Sequence, residues 1–378
     1  MTRNFDPTRQ PEADFALVQR QLSQGYDGHF LLVDSAVLHE KVRRFKEAMP
    51  RVNPHFAVKC NPDPGILSVL YKAGAGFEIA SPAELELCQS IGVPAAEIYY
   101  SNPMRAREAV ETAAKAGVQW YVIDSVSEMR KIVAIKPDAS FYLRLHTSNE
   151  GSVNPLSEKF GVFEEEVADI VKEAARLGAD LAGATFHAGS QCLNPDNWRI
   201  GIDAAVQAFG QMRAAGLKPR LLNLGGGFPV EYATPVPSIK DIGLVINDAL
   251  RAVPEDVRVM AEPGRYLVSD STYLVCRVIG TTVRRGHPWA YLDAGLYNGL
   301  LETTTGITFN MDSNRKGELV PWTIAGPTCD SLDICNRSQP LPHNLEEGDF
   351  IYVRNVGAYS NACSGRFNGF ELPKIIVV

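Results

Sequence analysis

The chain has 378 residues, 45% of them apolar and 21% charged, with a formal net charge of −7. That length exceeds one ordinary domain and allows a large core, while the composition excludes a disordered or low-complexity protein. The acidic balance argues against a nucleic-acid partner, which would need a clustered basic face; no apolar run reaches the roughly 18 residues of a membrane span, and "MTRNFDPTRQPEADF" at the start has no signal-peptide core, so a soluble, cytoplasmic protein without a membrane partner is expected.

From Phe30 onward, short apolar runs alternate with amphipathic stretches. The predicted strands are "FLLV" (30–33), "FAVK" (56–59), "FEIA" (77–80), "IYYS" (98–101), "WYVID" (120–124), "FYLRL" (141–145), "GATFHA" (183–188), "LLNLGGG" (221–227) and "RVMAEPG" (258–264). Helical patterns lie between them, as in "PAELELCQSIG" (82–92), "REAVETAAKAG" (107–117), "FEEEVADIVKEAARLG" (163–178) and "IDAAVQAFGQMRAAG" (202–216). So many alternations imply a parallel sheet covered by helices, and about eight of them a closed (β/α)8, TIM-like barrel. After Asp270 the pattern changes to strands separated by turns: "TYLVCRVIGTTVRR", "PWAYLDAG", "PWTIAG", "DFIYVRN" and "PKIIVV". The expected division is an α/β barrel over 36–270 and a C-terminal antiparallel β domain, a sandwich or small barrel, formed by 271–378 together with 1–35.

Seven cysteines (Cys60, Cys88, Cys192, Cys276, Cys329, Cys335, Cys363) are scattered, with no CxxC pair and no Cys/His ligand spacing. Neither disulfides nor a metal site are expected, and most of these thiols read as small core residues.

In such a barrel the C-terminal ends of the strands face the active site. Lys59, Arg144, His187, the glycines after Leu224 (Gly225, Gly226, Gly227) and Glu262 all fall at those ends. A charged amine closing an apolar run is either paired or chemically used, because an unpaired buried ammonium is too costly to keep. The glycine triplet lets backbone N–H groups approach an anion late in the barrel. "AEPGRY" adds Arg265 as a bidentate phosphate partner and Glu262 as an acid. A lysine, a phosphate cradle and a strand-end carboxylate are what a pyridoxal 5'-phosphate site needs: an imine, an anchor, and an acid holding the ring nitrogen protonated.

The stretches "FAVKCN" (56–61), "GFEIAS" (76–81), "FHAGSQC" (186–192), "LNLGGGFP" (222–229), "AEPGRY" (261–266), "GPTCDSLD" (326–333) and "GAYS" (357–360) occur along nearly the whole chain. With them the chain resembles the alanine-racemase-fold pyridoxal-phosphate decarboxylases, the ornithine, lysine and diaminopimelate decarboxylase family, and within it the ornithine enzymes most. The resemblance implies that Lys59 holds the cofactor as a Schiff base and that Glu262 pairs with its ring nitrogen. It places His187 on the ring face, with Ser190, the glycine triplet, Gly264, Arg265 and Tyr359 around the phosphate, and Glu78 and Arg144 orienting the ring and imine. Cys329 is implied to protonate the carbanion left by carbon dioxide, with Tyr297 and Asp330 at the substrate and Asp330 on a distal amino group. In that family the Cys-Asp pair reaches the other subunit's site, which implies a homodimer with shared active sites. "LSEKFGV" (156–162) corresponds to a mobile loop over the entrance, with Lys159, Phe160 and Gly161 as lid residues.

Two positions depart from the family pattern. An adjacent Tyr-Asp pair grips the distal ammonium of diamino acids in that family, yet the corresponding residues here are near Thr305 and Gly306; Glu302 or Asp312 would have to substitute, or Asp330 stand alone. Gln191 replaces a common glycine. The expected function is therefore decarboxylation of L-ornithine to putrescine, or of another basic amino acid such as lysine, within polyamine biosynthesis. The alternatives are a specialised biosynthetic amino acid, a racemase on the same barrel, against which the "GPTCD" motif speaks, and a non-catalytic decarboxylase-like regulator.

Overall fold

The computed structural model describes residues 11–25 and 28–378, and the rest of the expected 1–35 segment lies outside the described residues. The described residues divide into two compact units: His39–Pro229 with Pro237–Leu267, and Val230–Val236 with Val268–Val378 and the described residues before His39.

Eight parallel strands close the first unit into a barrel: Val52–Ala57, Gly76–Ile79, Ile98–Tyr100, Trp120–Ile123, Ser140–Arg144, Asp180–Thr185, Leu221–Asn223 and Arg258–Ala261. Each is buried along most of its length, as strands covered on both faces must be. The turn out of a strand is written in capping residues. Asp63 accepts hydrogen bonds from Gly65 N and Ile66 N (2.9 and 3.1 Å) ahead of helix Pro64–Lys72. Ser81 caps Pro82–Ser90, Ser125 caps Val126–Ile135 and Ser238 caps Ile239–Ala249. Satisfying the first orphan N–H groups in this way stabilises a helix start by about 1 kcal/mol. Tyr99, Trp120, Tyr142, Leu221 and Met260 pack together inside the barrel.

The second unit is a sheet of eight strands running Met311–Ser313, Phe350–Arg354, Thr272–Arg284, His287–Leu292, Leu319–Ala325 and Ile334–Pro342, with Phe30–Val33 paired to Thr272–Arg284 and Lys374–Val377 paired to Phe30–Val33. Most ladders are antiparallel, as the sequence suggests. Two are parallel: Trp289–Tyr291 against Thr323–Ala325, and Phe30–Val33 against Lys374–Val377. "FLLV", which opens the strand–helix alternation in the sequence, is thus no barrel strand; it pairs with Thr272–Val275 of this sheet. Two strands escaped the sequence reading. Met311–Ser313 is only three residues long, and Ile334–Pro342 contains Pro340 and Pro342, which read as breakers. Pro340 sits opposite Pro321, so neither neighbour loses a donor it needs there.

Candidate active site

Lys59 lies just beyond the first barrel strand, which ends at Ala57 and passes into a 3-10 turn, Val58–Cys60. The sequence places Lys59 as the last residue of a buried strand; the structure ends that strand at Ala57 and places Lys59 in the turn, with 44% of its side chain exposed and ion-paired to Glu78 Oε1. Glu78, on the second strand, is 1% exposed, and its Oε2 is buried without a hydrogen-bond partner. Burial raises the Glu78 pKa, opposed by the Lys59 charge.

Glu262 follows the last strand. Its Oε1 accepts from Ser101 Oγ and from Asn223 Nδ2, both at 2.6 Å, so Oε2 keeps its acceptor capacity. Ser101 Oγ also lies 2.6 Å from Tyr142 OH. Asn223 is buried, and its Oδ1 accepts from Gly225 N (2.9 Å), so one side chain ties the carboxylate to the glycine bend. The Gly225 backbone has φ +62°, and a Cβ there would stand 2.0 Å from Phe186 O. A Cβ on Gly226 would stand 3.0 Å from His187 Nε2 and 2.9 Å from Glu262 O, so the bare backbone keeps that face of the imidazole clear.

His187 accepts at Nδ1 from Gly189 N (3.0 Å), which puts the proton of a neutral ring on Nε2. Burial, with the Arg144 and Lys59 charges, lowers its pKa to about 3 and keeps it neutral at physiological pH. Asn149 Nδ2 donates to His187 O (2.8 Å). Arg265, 6% exposed, opens the short helix Arg265–Val268 and donates to Ser190 Oγ (3.4 Å). Gly264 packs against Cys60, its missing Cβ 3.0 Å from Cys60 Cβ, so the end of the last strand meets the turn that carries Lys59. Arg144, at the end of its strand, donates to Leu156 O (3.4 Å) and stands 5.3 Å from the Phe160 ring centroid. Gly161 N donates to Asp124 Oδ2 (3.2 Å). The 156–162 segment therefore lies against Arg144.

These groups fit pyridoxal phosphate. A side-chain amine stands at the rim with a buried carboxylate, Glu262 retains a free acceptor oxygen for a ring N–H, and a guanidinium with a serine hydroxyl forms an anion subsite beside a glycine bend.

Other expected residues lie in the second unit. Tyr297 OH donates to Asp330 Oδ2, which raises the tyrosine pKa and lowers that of the carboxyl, and the Tyr297 ring stacks on Phe367 at 4.5 Å. Cys329 is exposed, its N–H donating to Asn368 Oδ1 (3.0 Å). Asp333 organises this turn from beneath: it is buried and accepts from Leu296 N (2.8 Å), Thr328 N (3.2 Å) and Thr328 Oγ1 (2.7 Å). Tyr359 has φ +58°. Asp312 is engaged by Arg354 at 2.6 and 2.7 Å, so of the two candidate replacements for the missing aspartate it is already neutralised. Gln191 is buried at φ +55°, a left-handed conformation that explains why glycine suits this position. Ser101, Tyr142, Asn149, Asn223 and Asp333 were not singled out from the sequence; only the Asn223 position, two residues before the glycine triplet, carried any signal.

The sequence model of the family described as "Pyridoxal-dependent decarboxylase, pyridoxal binding domain" matches residues 35–269. The ornithine decarboxylase of Mus musculus is 34% identical over 371 residues, spanning 92% of this chain and 80% of its own. Among solved structures, the lysine/ornithine decarboxylase of Vibrio vulnificus complexed with cadaverine superposes with a TM-score of 0.91 at 32% identity, covering 98% of this chain and 99% of its own. The arginine decarboxylase of Paramecium bursaria Chlorella virus bound to agmatine gives 0.92 at 28%, covering 96% and 100%. The chain belongs to the pyridoxal-dependent decarboxylase family and is an amino-acid decarboxylase with pyridoxal phosphate as its cofactor.

Proposed function

We propose that this decarboxylase acts on a basic L-amino acid, with ornithine or lysine the leading substrates and a diamine of polyamine metabolism the product. The observation that carries the reading is the Lys59–Glu78 ion pair on the same barrel rim as Glu262 and Arg265. The relatives that act on ornithine, lysine and arginine support the substrate class.

Bound at this rim, the cofactor would supply an electron sink for the pair left at Cα when carbon dioxide departs. Lys59 contributes the amine that holds the carbonyl, with Glu78 orienting it. Glu262, fixed by Ser101 and Asn223, keeps a proton at the ring nitrogen. His187 stays neutral and covers the ring without adding charge. Arg265, Ser190 and the glycine triplet, with Gly264 and Tyr359, grip the phosphate, and Arg144 orients the ring. Cys329 delivers its thiol proton to Cα, and Tyr297 and Asp330 receive the substrate, the latter its distal amine. In this reading barrel residues 36–270 form the cofactor domain, and Cys329 and Asp330 serve the partner's site in a cytoplasmic homodimer.

The absent Tyr-Asp pair favours a second reading, a specialised biosynthetic amino acid. Losing one charge-assisted contact weakens substrate binding by about 1.5–3 kcal/mol. The test is carbon dioxide release from L- and D-ornithine, lysine, arginine, diaminopimelate and carboxynorspermidine, with Lys59→Ala as the control. Turnover of a basic L-amino acid, lost in Lys59→Ala, supports the first reading. Bound cofactor with no turnover on any of them moves the assignment to the second.

A further inference from the structure

A cavity of about 300 Å³ opens between the segment after strand Ser140–Arg144 and helices Glu164–Leu177 and Asp196–Ala214. None of Lys59, Glu78, His187, Glu262 or Arg265 lines it. Leu145, Val167 and Ala208 give it apolar walls, and Phe163 and Ile200 are half exposed beside them.

Two features separate it from a packing defect. Thr147 lines the cavity and is 4% exposed, and its Oγ1 is buried without a hydrogen-bond partner; Gln211 also lines the cavity, and its Oε1 is likewise buried without one. A buried acceptor left without a donor destabilises the fold. An amide oxygen only accepts, so what it lacks is a donor. The second feature is charge. Glu164 and Glu165 line the cavity, with no lysine or arginine among its lining residues. The Phe163 ring, stacked on His146 at 4.4 Å, adds a π face of the kind that attracts cations.

We propose that this cavity binds a short alkyl cation bearing N–H donors, an alkylammonium or alkylguanidinium, with its head on Thr147 and Gln211 and its chain on the apolar wall. The wall is tied to the barrel mouth, since His146 N donates to Val162 O (2.8 Å) and Val162 N to Arg144 O (3.0 Å). A ligand here therefore bears on the backbone that holds Arg144.

The test is a calorimetric titration of the holoenzyme with n-butylguanidinium, a head group too weakly nucleophilic to condense with the cofactor, paired with amide hydrogen exchange. Saturable binding is expected, with protection rising at residues 145–148 and 162–167, and n-butylammonium protecting the same amides. n-Butanol and n-butyrate are expected to bind about tenfold more weakly or worse, and Thr147→Val and Gln211→Leu each to lower affinity by about two- to tenfold, the value of one hydrogen bond. Glu164→Gln combined with Glu165→Gln is expected to weaken it further. If Thr147→Val misfolds, Gln211→Leu, at the less buried side chain, carries the test. Equal binding of n-butyrate, unchanged affinity in Gln211→Leu, protection confined to the surroundings of Lys59 and His187, or no saturable heat at millimolar probe would each overturn the proposal.

Discussion

Glu262→Gln isolates the charge of the proposed ring-nitrogen partner from its structural duties. Both hydrogen bonds that fix Glu262 fall on Oε1, from Ser101 Oγ and Asn223 Nδ2 at 2.6 Å. A glutamine oxygen accepts both, so the side chain keeps its place while Nε2 replaces Oε2. What disappears is a negative charge beside the ring nitrogen. An opposite charge at contact range moves a pKa by about 1–3 units, which is roughly 1.4–4 kcal/mol of stabilisation of the protonated ring. If that proton is needed in the transition state, kcat falls about ten- to a thousandfold. The assay is carbon dioxide release at saturating substrate, with cofactor content read from visible absorbance and fold integrity from Tm. Glu262→Ala serves as the contrast: it orphans the Ser101 and Asn223 donors as well, at about 1–3 kcal/mol each where they are buried, and should lower Tm where Glu262→Gln does not. A Glu262→Gln protein that binds cofactor and retains the parent kcat would refute the assigned role.

Asp333→Ala removes the acceptor of three hydrogen bonds beneath the Gly326–Asp330 turn, and a loss of roughly 3 kcal/mol or more in urea-unfolding stability is expected; an unchanged midpoint would mean that Asp333 does not hold the turn. The Tyr297 hydroxyl holds the Asp330 pKa down, so Asp330 keeps its charge to lower pH than an ordinary aspartate. Tyr297→Phe should therefore move the acid limb of the kcat/KM profile to higher pH, and a superimposable profile would exclude the coupling. His55, on the first strand, has its pKa lowered to about 4 by burial and by Arg258. Between pH 6.5 and 4 the unfolded chain takes up a proton that the folded chain refuses, so stability falls as pH drops through that window and levels off below it. His55→Gln should narrow the gap between urea midpoints at pH 7.5 and pH 5; an unchanged gap would place the acid sensitivity elsewhere.

The sequence makes the barrel and its rim legible for one reason: each rim residue interrupts or closes an apolar run where its chemistry looks out of place. Lys59, His187 and Glu262 stand out in this way, although the structure moves Lys59 from the strand into the following turn. Ser101, Tyr142 and Asn223 do not stand out. They are ordinary residues on or just past three different strands, and only barrel closure brings Ser101 and Asn223 onto one carboxylate oxygen. Asp333 is hidden differently, as the last letter of a motif whose chemistry draws attention to Cys329 and Asp330. Gln191 is visible as an oddity, but its cause is a φ of +55° that no periodicity reveals.

The substrate side of the site shows why a missing residue is not always a point change. By the family resemblance, the distal-amine aspartate would fall near Gly306. Here Gly306 has φ +94° and ends the 3-10 segment Leu301–Thr305. A backbone in that region suits glycine and strains a side chain by about 1–2 kcal/mol, so an aspartate placed at Gly306 itself would be strained. Asp312 is held by Arg354 at 2.6 Å. In the proposed reading, counter-charge for a distal amine then falls to Asp330, which Tyr297 orients. On that reading specificity would rest on the second unit's turn, while the barrel residues would perform a step common to every α-amino acid, so a change of substrate would leave the rim that holds the cofactor unaltered.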